Sequence, residues 1–273
     1  MFIVSEPAIL GRNKRLRNTG IAARTNDVLP RWLLVALACL PLPQFANAQP
    51  SHSPAIDAAP LTAEQVVQGL VWMNWKRTKA PRGYEGTRTY RLNYHGFPRN
   101  SRAEMIVKIK YRAPATKDFV VISQTGSRAI VDRVFKRLLA AEKEALTPEN
   151  ARRTALDPAN YRFTLLDYKK RPTDSIYMLS VQARSNNKFS YRGQIWVDAT
   201  DFAVVRIKAE PAKNPSFWIK HTDIEHAYSK IGDFWLPSSD RSVSQVRLGG
   251  RADLTIDYYD YRITDASPLE QQR

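Results

Sequence analysis

From residue 161 to residue 263 the chain is a run of short segments of alternating hydrophobicity, each parted from the next by turn-forming residues. Segments 161–168, 175–183, 188–198, 202–207, 219–228, 234–237, 242–248 and 251–263 read as strands. Ser185-Asn186-Asn187, Asp198-Ala199-Thr200-Asp201, Gly232-Asp233 and Gly249-Gly250 separate them. Links this short join antiparallel neighbours, because a parallel pair needs a crossover of a dozen or more residues. Paired glycines between alternating runs mark a hairpin. The pattern therefore dictates a long antiparallel sheet.

One stretch of it resists a simple in-out assignment. In RGQIWVDATDFAVVRIKAEP (192–211), Ile195 and Val197 point one way while Trp196 points the other. A sheet with one wet face should alternate cleanly. Something must cover part of each side.

The upstream half supplies candidates for the inner side. Thr62 and Gln65 have the spacing of a capping box, and Val66, Val67, Leu70 and Val71 follow at helical intervals, with Trp72, Met73 and Trp75 widening the apolar face. From Gly86 the period drops to two. Tyr90, Leu92 and Tyr94 share one strand face, and Met105, Val107, Ile109 and Tyr111 another, across the turn GFPRNS. A third strand covers 119–122. A second helix starts near Ala129, with Ile130, Val131, Val134, Phe135, Leu138 and Leu139 on one stripe. Asp132, Arg133, Lys136, Arg137, Glu142 and Lys143 are assigned to the other. Thr147-Pro148 opens a short third helix, with Thr147 as cap. Helices with one apolar stripe must bury it, and a sheet of nine to eleven strands curls. The expected fold is mainly β (α+β): a single long antiparallel curved sheet, an open and unclosed half-barrel, with helices packed on its concave face.

The N-terminus reads as export machinery. Arg12, Lys14, Arg15, Arg17, Arg24 and Arg31 precede the apolar run 32–42, and Ala46-Asn47-Ala48 offers a small-x-small cleavage site. The run is too short for a spanning helix, which needs about 20 apolar residues. No Arg-Arg pair precedes it, which favours the general export route. The expected organisation is a signal peptide at 1–48, a Pro- and Ala-rich linker at 49–60, one domain at 61–265 and a short tail at 266–273. Cys39, the only cysteine, lies inside the removed segment and in a poor context for lipidation, so the exported chain has neither thiol nor disulfide. Export places it in the periplasm. Cleavage after Ala48 leaves 36 basic and 24 acidic residues, a net charge of +12. That balance favours anionic partners, and export argues against nucleic acid among them.

No catalytic or cofactor motif stands out: there is no Gly-x-Ser-x-Gly, no His-Glu-x-x-His and no phosphate-cradling glycine loop. His221-Thr222-Asp223-Ile224-Glu225-His226 has the composition of a metal cluster. In a strand, however, His221, Asp223 and Glu225 share a face that His226 does not, so a solvated polar face is expected and no metal site is assigned.

Three runs carry a resemblance. Gly193-Gln194-Ile195-Trp196-Val197-Asp198, Phe202-Ala203-Val204-Val205-Arg206-Ile207, and the stretch from Tyr228 to Pro237 (YSKIGDFWLP) together resemble the outer membrane lipoprotein-sorting protein family, which is similar in fold to LolA, LolB and RseB. The resemblance covers 61–263. It implies an unclosed barrel with an apolar, helix-lidded cavity that binds acyl chains, and hence a non-enzymatic periplasmic carrier of lipid or acylated lipoprotein. An envelope sensor that reports to a membrane protein is the alternative, and an unrecognised envelope hydrolase a third. Peripheral contact with an anionic membrane surface fits the charge. Tyr90, Leu92, Tyr94, Met105, Val107, Ile109 and Tyr111 are the residues expected to line the cavity, with no cofactor.

Overall fold

The first helix begins where the sequence supplies its cap. In the computed structural model, which describes residues 60–265 except 80, 81, 114, 172, 215 and 248, the Thr62 N–H donates to Gln65 Oε1 at 2.9 Å. The Gln65 N–H returns the bond to Thr62 Oγ1 at 3.3 Å. Helix α1 runs Ala63–Lys79. The expected signal peptide with Cys39, the linker up to residue 59 and the tail at 266–273 lie outside the described residues.

Three strands follow: β1 (Arg82–Gly96), β2 (Ser101–Arg112) and β3 (Thr116–Gly126). A continuous helical segment comes next, made of α2 (Arg128–Ile130), a π turn (Val131–Phe135) and α3 (Lys136–Ala145), and then α4 (Pro148–Thr154). Thr147 takes the N-cap position of α4, but its hydroxyl donates back to the Glu144 carbonyl at 2.9 Å instead of capping. The remaining strands are β4 (Tyr161–Lys169), β5 (Ile176–Ala183), β6 (Tyr191–Asp198), β7 (Val204–Pro211), β8 (Ile219–Ile231), β9 (Phe234–Val246) and β10 (Gly250–Asp265). The two segments expected at 234–237 and 242–248 are one strand. Pro237 sits beside a register shift in the β8–β9 ladder, at a bulge, where a missing N–H costs no ladder bond.

All ten strands form one antiparallel sheet in the order β3-β2-β1-β10-β9-β8-β7-β6-β5-β4. It is the open, unclosed half-barrel, with β3 and β4 as its two edges. The helical segment leaves one edge and the chain re-enters at the other, while the last strand closes the sheet against the first, with Ile256 opposite Tyr90.

Register shows that the helices share a face. The row Ile207, His226, Asp240, Ile256, Tyr90, Met105 crosses six strands side by side. At one end of that face α1 buries Val66, Val67 and Leu70 against Tyr161, Leu179, Ile195 and Val197. At the other, Ile130, Val131, Phe135, Leu138 and Leu139 pack on Tyr90, Leu92, Met105, Val107, Leu254 and Ile256. The outward Trp196 is covered by a cation: the Arg206 guanidinium lies 5.4 Å from its ring centre and is held there by Glu225. A cation over an indole face shields an aromatic that the sheet leaves outside.

Candidate functional site

Helix α1 has a wider apolar surface than the sheet can cover. Its inner stripe is buried, but Trp72 remains 54% exposed and Trp75 41% exposed, with Val71 beside them. The indoles stack at 4.9 Å between ring centres, and the Lys76 ammonium lies 5.7 Å over Trp72. These side chains face the start of β4, the edge strand. Between helix and edge lies a groove of about 1030 Å³, lined by Ala63, Val67, Val71, Trp72 and Trp75 from the helix and by Pro158, Tyr161 and Phe163 from the sheet side. Glu64, Gln68, Arg162, Thr164 and Arg184 complete it. Arg184 is held by the carbonyls of Pro158 and Tyr161 at 2.9 and 3.3 Å. The Arg162 side chain is exposed and makes no hydrogen bond or ion pair with any described residue. The groove therefore offers an apolar floor with cationic groups at its edge.

The seven residues named from strand parity lie elsewhere. Tyr90, Leu92, Met105 and Val107 are buried beneath the helical segment 128–145, with Tyr94 partly buried against the same cluster. Ile109 is buried, and Tyr111 packs in a third cluster with Tyr84 and Leu236, stacked on Tyr84 at 5.2 Å.

A polar network runs through the same inner face. Glu142 of α3 accepts a forked pair from Arg88, at 2.6 and 2.9 Å, and a bond from the Lys117 ammonium at 2.7 Å, with all three side chains buried. Arg88 also donates to the Tyr90 hydroxyl at 3.2 Å, and its guanidinium lies 4.7 Å over the Tyr258 ring. The Tyr258 hydroxyl donates to Asp240, whose other oxygen takes the Nδ1–H of His226 at 2.5 Å. His226 Nε2 is buried without a partner among the described residues. Burial alone would push the Glu142 carboxyl up, but Arg88 and Lys117 overcome it and bring it down to about 2. Burial pushes the Tyr90 hydroxyl up to about 12 and, with the Asp240 charge, holds Tyr258 well above its ordinary value.

Charge is misleading for Glu142, which the sequence pattern places on the wet stripe of its helix. Its spacing from Phe135, Leu138 and Leu139 is that of the buried stripe, and spacing decides the outcome because two cations wait opposite. Arg88 could likewise have been found from its parity with Tyr90 and Leu92, whereas Asp240 falls between the segments expected at 234–237 and 242–248 and meets His226 only through cross-strand register. On the outer face, His221, Asp223 and Glu210 come within 4.8 Å of one another. His221 pairs with Asp223 at 3.0 Å and Glu210 with Arg192 at 3.0 Å. His226 lies on the opposite face.

Fold and groove together define an open β half-barrel with an apolar groove at one edge. No family model and no curated protein matches the chain. Among the solved structures that it is similar to are the following three. A DUF1329 family protein from Desulfovibrio piger is 12% identical over 74% of this chain and 93% of its own, with a TM-score of 0.39. A domain described as an outer membrane lipoprotein-sorting protein, from Vibrio parahaemolyticus, is 11% identical over 77% and 97%, with a TM-score of 0.36. A LolA superfamily protein from Nitrosomonas europaea is 11% identical over 78% and 99%, with a TM-score of 0.31.

Proposed function

We propose that the chain is a non-enzymatic periplasmic carrier that holds the acyl chain of a lipid, or of a lipoprotein bound for the outer membrane, in the groove between α1 and β4. The observation that carries this reading is the pair of stacked, half-exposed indoles facing Tyr161 and Phe163 across an apolar floor. Exposed aromatics arranged around a concavity gain by burying a guest, since each methylene taken from water is worth ~0.8 kcal/mol. A chain of about 16 carbons supplies on the order of 10 kcal/mol gross, which offsets the ordering cost of binding. Arg162 and Arg184 suit an anionic head group. Of the lining named from strand parity, Tyr90, Leu92, Tyr94, Met105 and Val107 would be reached by an acyl chain only on displacement of helical segment 128–145.

Mass spectrometry of lipids extracted from the purified chain, with titration of a fluorescent fatty acid, tests the proposal. Bound lipid and saturable uptake are expected. Replacing Trp72 and Trp75 together by Ala should weaken uptake by about tenfold or more, a loss of ~1.4 kcal/mol. Repeated absence of lipid and of uptake would reject it. A sensor that passes lipid occupancy to an envelope membrane protein is favoured by one observation. Edge strand β3 exposes Val120, Val121 and Ile122, and such an edge can accept a partner's strand. A stable complex in pull-downs that Val120→Lys abolishes would support that role.

A further inference from the structure

Three turns lie side by side at one end of the sheet. Gly96 at the end of β1 is registered against Gly250, Gly250 against Val246, and Val246 against Ile219. The β7–β8 loop is tied to its neighbour, with the Arg247 N–H donating to the Trp218 carbonyl at 2.9 Å and Arg247 Nε to the Phe217 carbonyl at 2.6 Å. The tips of these turns are aromatic and largely exposed: Phe97 at 73%, Phe217 at 74% and Trp218 at 55%. Phe217 and Trp218 meet edge to face at 5.6 Å, and the Arg247 guanidinium lies 4.9 Å over Phe217.

Their surroundings are strongly one-sided in charge. The segments HGFPRNSR (95–102), AKNPSFWIK (212–220) and VRLGGRA (246–252) contain no Asp or Glu. They carry Arg99, Arg102, Lys213, Lys220, Arg247 and Arg251, all exposed. Arg251 is paired with Asp253, but the side chains of Arg99, Arg102, Lys213 and Lys220 have no hydrogen-bond or ion-pair partner among the described residues. Nearby carboxylates have other partners: Glu210 pairs with Arg192, and Asp223 with His221.

We propose that this end of the sheet docks on an anionic phospholipid bilayer, with Phe97, Phe217 and Trp218 at head-group level and the cations on lipid phosphates. Amphipathic aromatic rings settle at the membrane–water interface. Each Lys or Arg held near an anionic leaflet strengthens binding roughly fivefold, within a Debye length. A bilayer fits better than an acidic peptide, because turns present no strand edge on which a peptide could build a backbone ladder. The docking stands apart from the carrier reading. It would nevertheless bring the groove to the lipid, since Tyr161 opens β4 and Arg184 follows β5 at this same end.

Co-sedimentation of the purified chain with vesicles of phosphatidylcholine alone, or mixed with phosphatidylglycerol, tests the proposal. Binding to the mixed vesicles, weakened at high salt, is expected. Phe217→Ala with Trp218→Ala, and separately Lys213→Glu with Lys220→Glu, should each weaken it by about tenfold or more. Lys169→Glu with Arg262→Glu makes the same change in net charge at the opposite ends of β4 and β10 and should leave at least half of the binding. Equal loss in the two charge-reversed pairs would mean diffuse attraction of a basic protein, and would overturn the assignment. So would absence of vesicle binding, or a photo-crosslinker at position 217 that captures protein and never lipid. Circular dichroism of each variant confirms the fold.

Discussion

Glu142 shows how a charge can be made structural. Its carboxylate sits between Arg88 and Lys117, so removing it strands two cations in a dry interior. Breaking a buried pair from one side costs ~3–5 kcal/mol, and Glu142→Gln should show a loss of that order in urea denaturation. The pH dependence has a definite sign. Folding lowers this carboxyl from the ordinary 4.5 to about 2. Its stabilisation is therefore complete above about pH 4.5 and is lost as pH falls through about 2. An acid titration of unfolding should be shallower in that window for Glu142→Gln than for the parent chain. Asp240 has a related part. Asp240→Ala would leave the Tyr258 hydroxyl and the His226 Nδ1–H without their acceptor, at ~1–3 kcal/mol for each group left unsatisfied, measurable in the same way.

Among the elements, α1 links local sequence to the groove. Its capping box is visible in Thr62 and Gln65, and the structure makes both bonds. Thr62→Ala should cost ~1 kcal/mol of stability and lower fatty-acid affinity as well, because the first turn of α1 carries Ala63 and Glu64 into the groove. An unchanged affinity would separate helix capping from the site. Strand β6 has its own constraint at Gly193. Its φ of +153° disfavours a side chain, and a Cβ there would stand 2.3 Å from the Lys208 carbonyl oxygen. Gly193→Ala should destabilise the protein by at least ~1–3 kcal/mol, seen as a lower midpoint in thermal melting. Strands, turns and the first helix were legible because each depends on neighbours in sequence. The single strand through Pro237 was not, since a proline inside a strand looks like a terminator until a bulge accommodates it.

For the whole molecule, the decisive contact is between the first strand and the last. The pairing of β1 with β10 joins the three strands before the helices to the seven after them. Ile256 is fully buried at that junction among Tyr90, Met105 and Phe135. Truncating it to Ala should cost ~2–5 kcal/mol. Tryptophan fluorescence and far-ultraviolet circular dichroism should still report one shared transition. Separate transitions would show that the two parts of the sheet fold independently. Charge acts at the same scale: the net charge of +16 was plain from composition, but the concentration of cations at three neighbouring turns was not. Those turns lie far apart in sequence and are brought together by strand order alone.

By itself the sequence determined that most of the strands exist and which turns part them, which positions alternate between the faces, and how α1 starts. These depend on backbone preference and short-range periodicity. Tertiary structure alone decided that β10 lies beside β1, that Arg88, Lys117 and Glu142 meet inside, and that the tryptophans of α1 overlook an edge strand. Such outcomes hinge on which distant residues can satisfy one another once water is excluded, and no local pattern encodes that choice.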